Sequence, residues 1–171
     1  MTIGASFAGV RAMTGTSGGG FCLMTEYLGL AAIAEIPLVI LEGQRPGPAT
    51  GLPTRTEQGD LKFVLSAHQG EFPRIVVAPG DPEEAFRLTF EAFNLAERYQ
   101  TPVIILTDKH LGESFWTCDK FDMAGMKIDR GEWLDTADAK AVGDYKRYGI
   151  TKTGLSPRAR PGMPGVIFKA S

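Results

Sequence analysis

Cysteine and histidine are scarce in this sequence, and their scarcity excludes several kinds of site. The 171 residues include two cysteines and two histidines. Cys22 and Cys118 form no CxxC pair, so we expect two buried or half-buried thiols in a reducing compartment rather than a disulfide or thiolate metal site. Two cysteines cannot ligate a four-cysteine iron–sulfur cluster. His68 and His110 lack a nearby carboxylate pattern, so no metal site is expected there.

Excess charge of one sign and long apolar runs are also missing. The formal net charge is −2, which argues against a broad surface for nucleic acid or anionic membrane. No apolar run approaches the roughly 20 residues of a membrane-spanning helix, and the amino end lacks the pattern of a secretory signal. We therefore predict a cytoplasmic protein of ordinary globular composition, with neither nucleic-acid nor membrane partners.

Continuous apolar runs bounded by turns predict strands that are covered on both faces. These runs lie at 37–42, 74–78 and 101–108, and a shorter strand is predicted at 10–16. Helical patterns alternate with them, so we predict an α/β fold with a parallel sheet, right-handed crossovers and helices on both faces.

The helix after residue 80 has the strongest local signal. Asp81 can cap it, Pro82 occupies the first helical position, and Glu84 completes a capping box. A buried helix is also predicted at 21–36, where apolar residues lie nearly all round, and a short helix at 61–67.

The two ends of the chain differ from this middle part. Residues 1–118 are predicted to form the α/β domain, and 119–171, rich in Lys, Asp, Gly and Pro, a linker or extended arm toward a following domain. Within the arm only 166–168 has a strand-like pattern. At the start, TIGASFAG resembles the last turns of a helix that ends at Gly9. So short a helix is not stable alone, and we expect a fragment truncated at both ends.

A glycine-rich turn follows the first predicted strand. TGTSGGGF (14–21) would expose backbone N–H groups at a helix start, which suits an anion or a polar ring. Thr14, Thr16 and Ser17 add hydroxyls at the carboxyl end of a strand, where open α/β sheets bind ligands. The turn matches neither GxGxxG nor GxxxxGK(S/T), and plain turn geometry remains the alternative.

The connection EGQRPGPATGLPTRTEQGD (42–60) holds four glycines and three prolines. A long connection without periodicity is usually functional or disordered, and the prolines favour a stiff loop. Arg45 follows a strand, and its guanidinium matches a carboxylate or phosphate with two parallel hydrogen bonds. The alternative is a surface ion pair with Glu57 or Asp60.

Two further polar residues each have two possible roles. His68 either lines the same cleft or is a solvated loop residue, and the solvated loop is the preferred interpretation. Asp108 ends a strand, so it either serves the site or caps the next turn.

Three stretches together carry a family resemblance. They are GVRAMTGTSGGGFCLMTEYLGLAAIAEIPLVI, QRPGPATGLPTRTEQGDL, and HQGEFPRIVVAPGDPEEAF with NLAERYQTPVIILTD. They resemble the alpha subunit of 2-oxoacid:ferredoxin oxidoreductases of the 2-oxoglutarate or 2-oxoacid synthase type, within its thiamine-pyrimidine-binding domain. The resemblance implies oxidative decarboxylation of a 2-oxo acid on thiamine diphosphate, with transfer of the acyl group to coenzyme A and of electrons to ferredoxin. It also implies a beta subunit that holds Mg²⁺ and the 4Fe–4S cluster.

By position, the resemblance assigns Arg45 to the substrate carboxylate and Thr54 to the 2-oxo acid. It assigns Thr16, Ser17 and Gly18 to the thiamine side of the cleft.

The chain also departs from the family pattern. The Tyr-Pro-Ile-Thr-Pro motif and the catalytic glutamate would lie before Met1, and TSGGG stands where the family has TSGPG. We therefore expect no catalytic residue in this chain and no activity of the chain alone. The alternatives are a truncated non-catalytic module that only binds a partner subunit, and a flavodoxin-like anion-binding domain.

Overall fold

The computed structural model of the protein describes residues 1–135 and 145–169. Within them, four strands form one parallel sheet in the order β1-β2-β4-β3. The strands are β1 Met13–Ser17, β2 Leu38–Gln44, β3 Ile75–Val77 and β4 Pro102–Asp108. The predicted parallel α/β sheet is therefore confirmed, although β2 runs two residues further than its apolar run.

Helices cover both faces of this sheet. They are α1 Thr2–Phe7, α2 Gly18–Cys22, α3 Thr25–Ile33, α4 Leu61–Ser66, α5 Pro82–Tyr99 and α6 Lys109–Glu113. One face packs Ile40 and Ile104 with Phe21, Leu28 and Val64 of α2, α3 and α4. The opposite face packs against α5 through a second cluster, which contains Val39, Ala92, Ala96, Val103 and Ile105.

The single helix predicted at 21–36 is instead two shorter helices. α2 ends because the Leu23 and Met24 N–H groups turn back to carbonyls only three residues earlier, and the Thr25 hydroxyl donates to the Cys22 carbonyl at 3.1 Å. α3 ends before 36 because Glu35 adopts a left-handed backbone with φ +50°.

The other helix predictions agree with the structure. The Asp81 carboxylate accepts from the Glu84 N–H at 2.8 Å, and Glu84 reaches back to the Gly80 N–H at 2.9 Å. Gly9, with φ +97°, directly follows the α1 cap at Ala8. The short helix α6 was not predicted.

Residues 119–135 and 145–169 contain neither helix nor regular strand, apart from one bridge between Trp133 and Arg158. The strand-like pattern at 166–168 is therefore wrong as a strand prediction: Val166 packs instead in a small cluster with Ala159 and Met163. The arm lies along the amino edge of the sheet, where the Gln100 amide donates to the Ser156 carbonyl at 2.5 Å. The domain boundary at 118 stays a prediction.

Both cysteines are free and exposed, so the prediction that they are buried or half-buried is wrong. Cys22 ends a five-residue helix at an open cleft, and Cys118 follows the last helix in irregular chain. Among the described residues, no helix combines the length and the apolar character needed to cross a membrane.

Candidate functional site

A cleft of about 540 Å³ opens at the carboxyl edge of the sheet. Glycines 18–20 form one side and residues 45–50 the other, with Cys22, Leu23, Asp60 and Phe63 completing the lining. Parallel α/β sheets place ligands at this edge, because the loops that leave the strands diverge there.

The strand register determines which side chains meet at the cleft. Thr16 of β1, Glu42 of β2 and Leu106 of β4 lie side by side, and Gln44 lies beside Asp108. Alternate residues of a strand point to the same face, so Glu42 and Gln44 continue the apolar face formed by Leu38 and Ile40. The extension of β2 thus carries polar side chains to the base of the cleft.

Arg45 leaves β2 directly into the cleft. Its side chain is half-buried, and its buried Nε has no hydrogen-bond partner among residues 1–135 and 145–169. Its Nη2 lies 3.5 Å from the point where a Cβ on Gly19 would sit, so the guanidinium faces the glycine turn. Within the described residues Arg45 forms no ion pair, and the expected alternative partners Glu57 and Asp60 do not contact it as ion-pair partners.

The loop that carries Arg45 is tethered at several points. The Leu52 N–H donates to the Pro46 carbonyl at 3.0 Å, and the Gln58 amide donates to Asp108 at 2.7 Å. The Asp60 N–H donates to the Gln44 side chain at 3.0 Å. These bonds close the loop onto the sheet edge, which agrees with a stiff rather than a disordered connection.

The glycine turn fits tightly against this loop. A Cβ on Gly18 would lie 2.8 Å from Asp60 Oδ2, and a Cβ on Gly20 would lie 2.0 Å from Thr16 Oγ1. Any side chain at these two positions would therefore displace a neighbour. By contrast, Gly19 has ordinary clearance, with its nearest neighbour, the Ala49 carbonyl, at 3.4 Å.

The structure brings some of the predicted site residues together and leaves others apart. Arg45 and Gly18 both line the cleft, whereas Thr54 is exposed and lies outside the lining. Thr16 and Ser17 are half-buried behind the turn, and the Thr16 hydroxyl points to the Ser17 carbonyl at 3.4 Å. The assignments of Thr16, Ser17 and Gly18 to thiamine stay predictions. Those of Arg45 and Thr54 to the 2-oxo acid stay predictions as well.

His68 is not part of the cleft lining, and it is not a solvated loop residue. Its half-buried ring packs edge-on against Phe72 at 5.7 Å and lies directly over Gly29 of α3, where a Cβ would come within 2.0 Å of Nε2. Asp108 caps α6, because its carboxylate accepts from the Leu111 N–H at 2.9 Å.

Sequence reasoning missed a pair of carboxyl groups at the foot of the cleft. Glu42 is completely buried, and neither of its oxygens has a hydrogen-bond partner in the part of the chain that the structure describes. It faces Asp60, whose Oδ2 is also unpartnered. Burial raises the pKa of Glu42 to about 8, and the charge and hydrogen-bonding position of Asp60 add to the rise. The one signal in the sequence was an acidic residue that ends the apolar run PLVILE.

The fold and the cleft define an α/β ligand-binding domain whose site lies at the carboxyl edge of a parallel sheet. Residues 1–150 match the family model described as "Pyruvate flavodoxin/ferredoxin oxidoreductase, thiamine diP-bdg". The chain therefore belongs to this family of thiamine-diphosphate-binding oxidoreductase domains, as the sequence resemblance predicted.

Curated relatives agree with this assignment. The chain is 50% identical over 170 residues to "2-oxoacid:ferredoxin oxidoreductase 1, subunit alpha" of Sulfurisphaera tokodaii, which covers 98% of this chain and 26% of that protein. It is 49% identical over 110 residues to "2-oxoglutarate synthase subunit KorA" of Archaeoglobus fulgidus, covering 64% of this chain and 32% of that protein. The chain thus spans about a quarter to a third of the length of these relatives.

A solved structure supports the fold. The 2-oxoglutarate:ferredoxin oxidoreductase of Magnetococcus marinus, with 2-oxoglutarate, coenzyme A and succinyl-CoA bound, matches 99% of this chain and 29% of its own. The TM-score is 0.92 at 40% sequence identity. With the family shown, the flavodoxin-like alternative has no remaining support.

Proposed function

We propose that this chain is the part of a 2-oxoacid:ferredoxin oxidoreductase alpha subunit that binds the substrate carboxylate and forms one wall of the thiamine site. The complete enzyme would convert a 2-oxo acid and coenzyme A to acyl-CoA and CO₂, with reduction of ferredoxin. The observation that carries the proposal is the half-buried guanidinium of Arg45 at the cleft, which has no ion-pair partner among the described residues.

The state of Arg45 supports a carboxylate ligand. A partly desolvated guanidinium without a counter-charge is unfavourable, because its lost hydration is not replaced. A bound carboxylate restores both the charge and the hydrogen bonds through two parallel contacts. No carboxylate among the described residues forms an ion pair with Arg45. The carboxylate partner would therefore come from a bound ligand.

The cleft also fits part of a cofactor. Gly18 and Gly19 put no side chain into it, so a flat ring can approach the backbone of the turn closely. Thr16, Ser17 and Gly18 would line the thiamine side. Thiamine diphosphate, when bound, supplies the carbanion stabilisation that decarboxylation of a 2-oxo acid requires. The role of this chain is to place the acid's carboxylate and to exclude water from the glycine side.

The remaining groups belong, in this proposal, to other subunits. Two cysteines cannot supply four thiolates to a cluster, and no group of three acidic, cysteine or histidine side chains in the described part of the chain forms a metal site. Mg²⁺ and the 4Fe–4S cluster are therefore assigned to a beta subunit. Coenzyme A and ferredoxin would act through the cytoplasmic complex.

The substrate is proposed as a 2-oxo acid, with 2-oxoglutarate the first to test because the Magnetococcus enzyme was solved with it. A second carboxylate, such as that of 2-oxoglutarate, would need another cation, and Arg55 lies in the same loop as Arg45. Arg55 is exposed and lies outside the cleft lining, so this chain offers Arg45 as the carboxylate-binding residue.

The test is Arg45→Lys in the complete oxidoreductase. An ammonium cannot reproduce the two-point contact, so KM for 2-oxoglutarate should rise about tenfold, a loss of about 1.4 kcal/mol. Arg55→Lys is the matched control, because it makes the same change on an exposed part of the same loop and should leave KM unaltered. An unchanged KM and kcat in Arg45→Lys would refute the proposal.

Binding of a partner subunit is a second function that one observation favours. Leu23, which follows α2, and Tyr27 and Ile33 of α3 are 83%, 60% and 71% exposed, and exposed apolar patches mark interaction surfaces. Calorimetric titration of the chain with a matching beta subunit and thiamine diphosphate tests it. Equal binding of the beta subunit by the parent chain and Arg45→Ala, with unchanged turnover of the complete enzyme carrying Arg45→Ala, would favour the non-catalytic module.

A further inference from the structure

Glu42 is buried in a way that differs from the other buried acidic residue of the described chain. Glu97 is 2% exposed and lies between the guanidinium groups of Arg130 and Arg158. Glu42 is 0% exposed, and within residues 1–135 and 145–169 it has neither a cation as ion-pair partner nor a hydrogen-bond donor. A buried carboxylate without compensation is strongly unfavourable, so the surroundings of Glu42 require an explanation.

Asp60 is the charged neighbour that affects the pKa of Glu42. In register on the flanking strands lie Thr16 and Leu106, which do not titrate. The other titratable or charged side chains around this end of the sheet are Cys22, Glu26, Arg45, Lys62, Asp108, Lys109 and His110. In the part of the chain that the structure describes, none of these seven forms an ion pair or hydrogen bond with Glu42.

Two ionised carboxylates cannot remain adjacent in this setting, because each disfavours the charge of the other. Both groups are hydrogen-bond acceptors when ionised, which accounts for their unpartnered oxygens. One proton between them converts the contact of two acceptors into a charge-assisted hydrogen bond. The burial of Glu42 directs the proton to that residue.

The position of the pair connects it to Arg45. Gln44 precedes Arg45 and accepts the Asp60 N–H at 3.0 Å, so both ends of the loop meet at the tip of β2. Gly18 covers the pair, since a Cβ there would lie 2.8 Å from Asp60 Oδ2 and 3.6 Å from Glu42 Oε1. The pair is thus enclosed between the sheet, the loop and the glycine turn.

We infer that Glu42 and Asp60 share one proton, and that this hydrogen bond fastens the loop so that Arg45 is aimed into the cleft. Glu42 is then a positioning residue for substrate binding, and the inference rests on the carboxylate-binding role proposed for Arg45. When the proton is lost, the two charges repel, and the loop end separates from β2. Weakened substrate binding at alkaline pH would then report the displacement of Arg45.

The kinetic test uses the complete oxidoreductase with 2-oxoglutarate at pH values from about 6.5 to 9.5, centred on the pKa of Glu42 near 8. In the parent enzyme KM should rise about tenfold above pH 8, with kcat changing less. Glu42→Gln keeps a donor toward Asp60 but cannot ionise. It should hold KM at pH 7 within about threefold of the parent value and abolish the alkaline rise.

Two further variants complete this test. Glu42→Ala removes the hydrogen bond and should raise KM about tenfold at every pH. Glu57→Gln makes the same acid-to-amide change on the exposed part of the loop and should keep the parent profile. The inference is overturned if Glu42→Gln retains the alkaline rise, or if it matches Glu42→Ala at pH 7.

A spectroscopic measurement separates this inference from the proposal for Arg45. The infrared difference spectrum of the complex between pH 7 and pH 9 should contain the band of a protonated carboxyl that is absent in Glu42→Gln. This band does not depend on substrate binding. Its presence with a normal KM in Arg45→Lys would reject the proposed function alone, and its absence in the parent enzyme would reject the shared proton.

Discussion

At the amino edge of the sheet, the arm and the α/β domain meet through paired charges. The Glu97 carboxylate forms ion pairs with Arg130, at 3.0 Å, and with Arg158. Arg147 donates to the Glu35 carboxylate and to the Ser156 hydroxyl, each at 2.6 Å. The charged groups at the carboxyl edge of the sheet are arranged differently.

There, the carboxyl groups of Glu42 and Asp60 face each other, and Arg45 has a buried Nε without a partner. Among the described residues, the charged groups at the amino edge have partners of opposite charge, whereas the carboxyl edge keeps a guanidinium without an ion pair near two facing carboxyl groups. Local rules are broken mainly where a ligand completes them. This difference between the two edges supports the proposal that the amino edge contributes to stability and the carboxyl edge binds the ligand.

The largest expected effect breaks the complete edge. Glu97→Ala leaves Arg158 buried without its counter-charge, and losing one partner of a buried pair costs about 3–5 kcal/mol of unfolding free energy. Urea unfolding of the chain at neutral pH measures this loss. Glu91→Ala, on the exposed side of the same helix, should change stability by less than about 0.5 kcal/mol. Equal midpoints for the two variants would contradict the structural role of the Glu97 cluster.

A pH series sharpens the comparison at the other edge. The pKa of Glu42 is raised from 4.5 to about 8, so between these values the native chain holds a proton that the unfolded chain has released. The stabilising contribution of this bound proton is complete below pH 4.5 and is lost as the pH rises to 8. The slope is at most about 1.4 kcal/mol per pH unit, because one proton is involved.

Comparison of the parent chain with Glu42→Gln isolates this contribution, since the other titrating groups are the same in both. Unfolding free energies from urea titrations at pH 5, 6.5 and 8 should show the parent losing stability relative to the variant as the pH rises. Parallel stability curves would mean that Glu42 is ionised in the native chain.

The two edges also differ in how well the sequence predicted them. The strands at 37–42 and 101–108 and the caps of α5 were predicted because their signals are local: an apolar run, an acidic cap, a proline. Arg45 was predicted as a ligand-binding residue because it directly follows a strand, and the structure places it in the cleft lining. The family and the α/β class followed from stretches of the same kind.

The pairing of Glu42 with Asp60 was not predictable in this way. Their contact depends on the path of a loop without periodicity, and nothing local states that Asp60 returns to β2. The break between α2 and α3 was missed for a related reason, since a continuous apolar pattern does not reveal the hydroxyl of Thr25 bonding the Cys22 carbonyl. The exposure of Cys22 depends on the same break.

The smallest expected effect concerns Thr54, which the resemblance assigns to the 2-oxo acid and the structure leaves exposed, outside the cleft lining. Thr54→Val keeps the shape and removes one hydroxyl. If a bound acid draws this part of the loop inward, the ratio of kcat/KM between 2-oxoglutarate and pyruvate should shift by about 1 kcal/mol, the low end for a single contact.

Thr50 provides the matched control for this measurement, because it is an exposed threonine of the same loop that already lines the cleft. A shift in Thr50→Val with none in Thr54→Val would transfer the contact to the residue nearer Arg45. It would also show that the cleft binds the acid without moving the distal half of the loop, since a static loop leaves Thr54 outside the cleft.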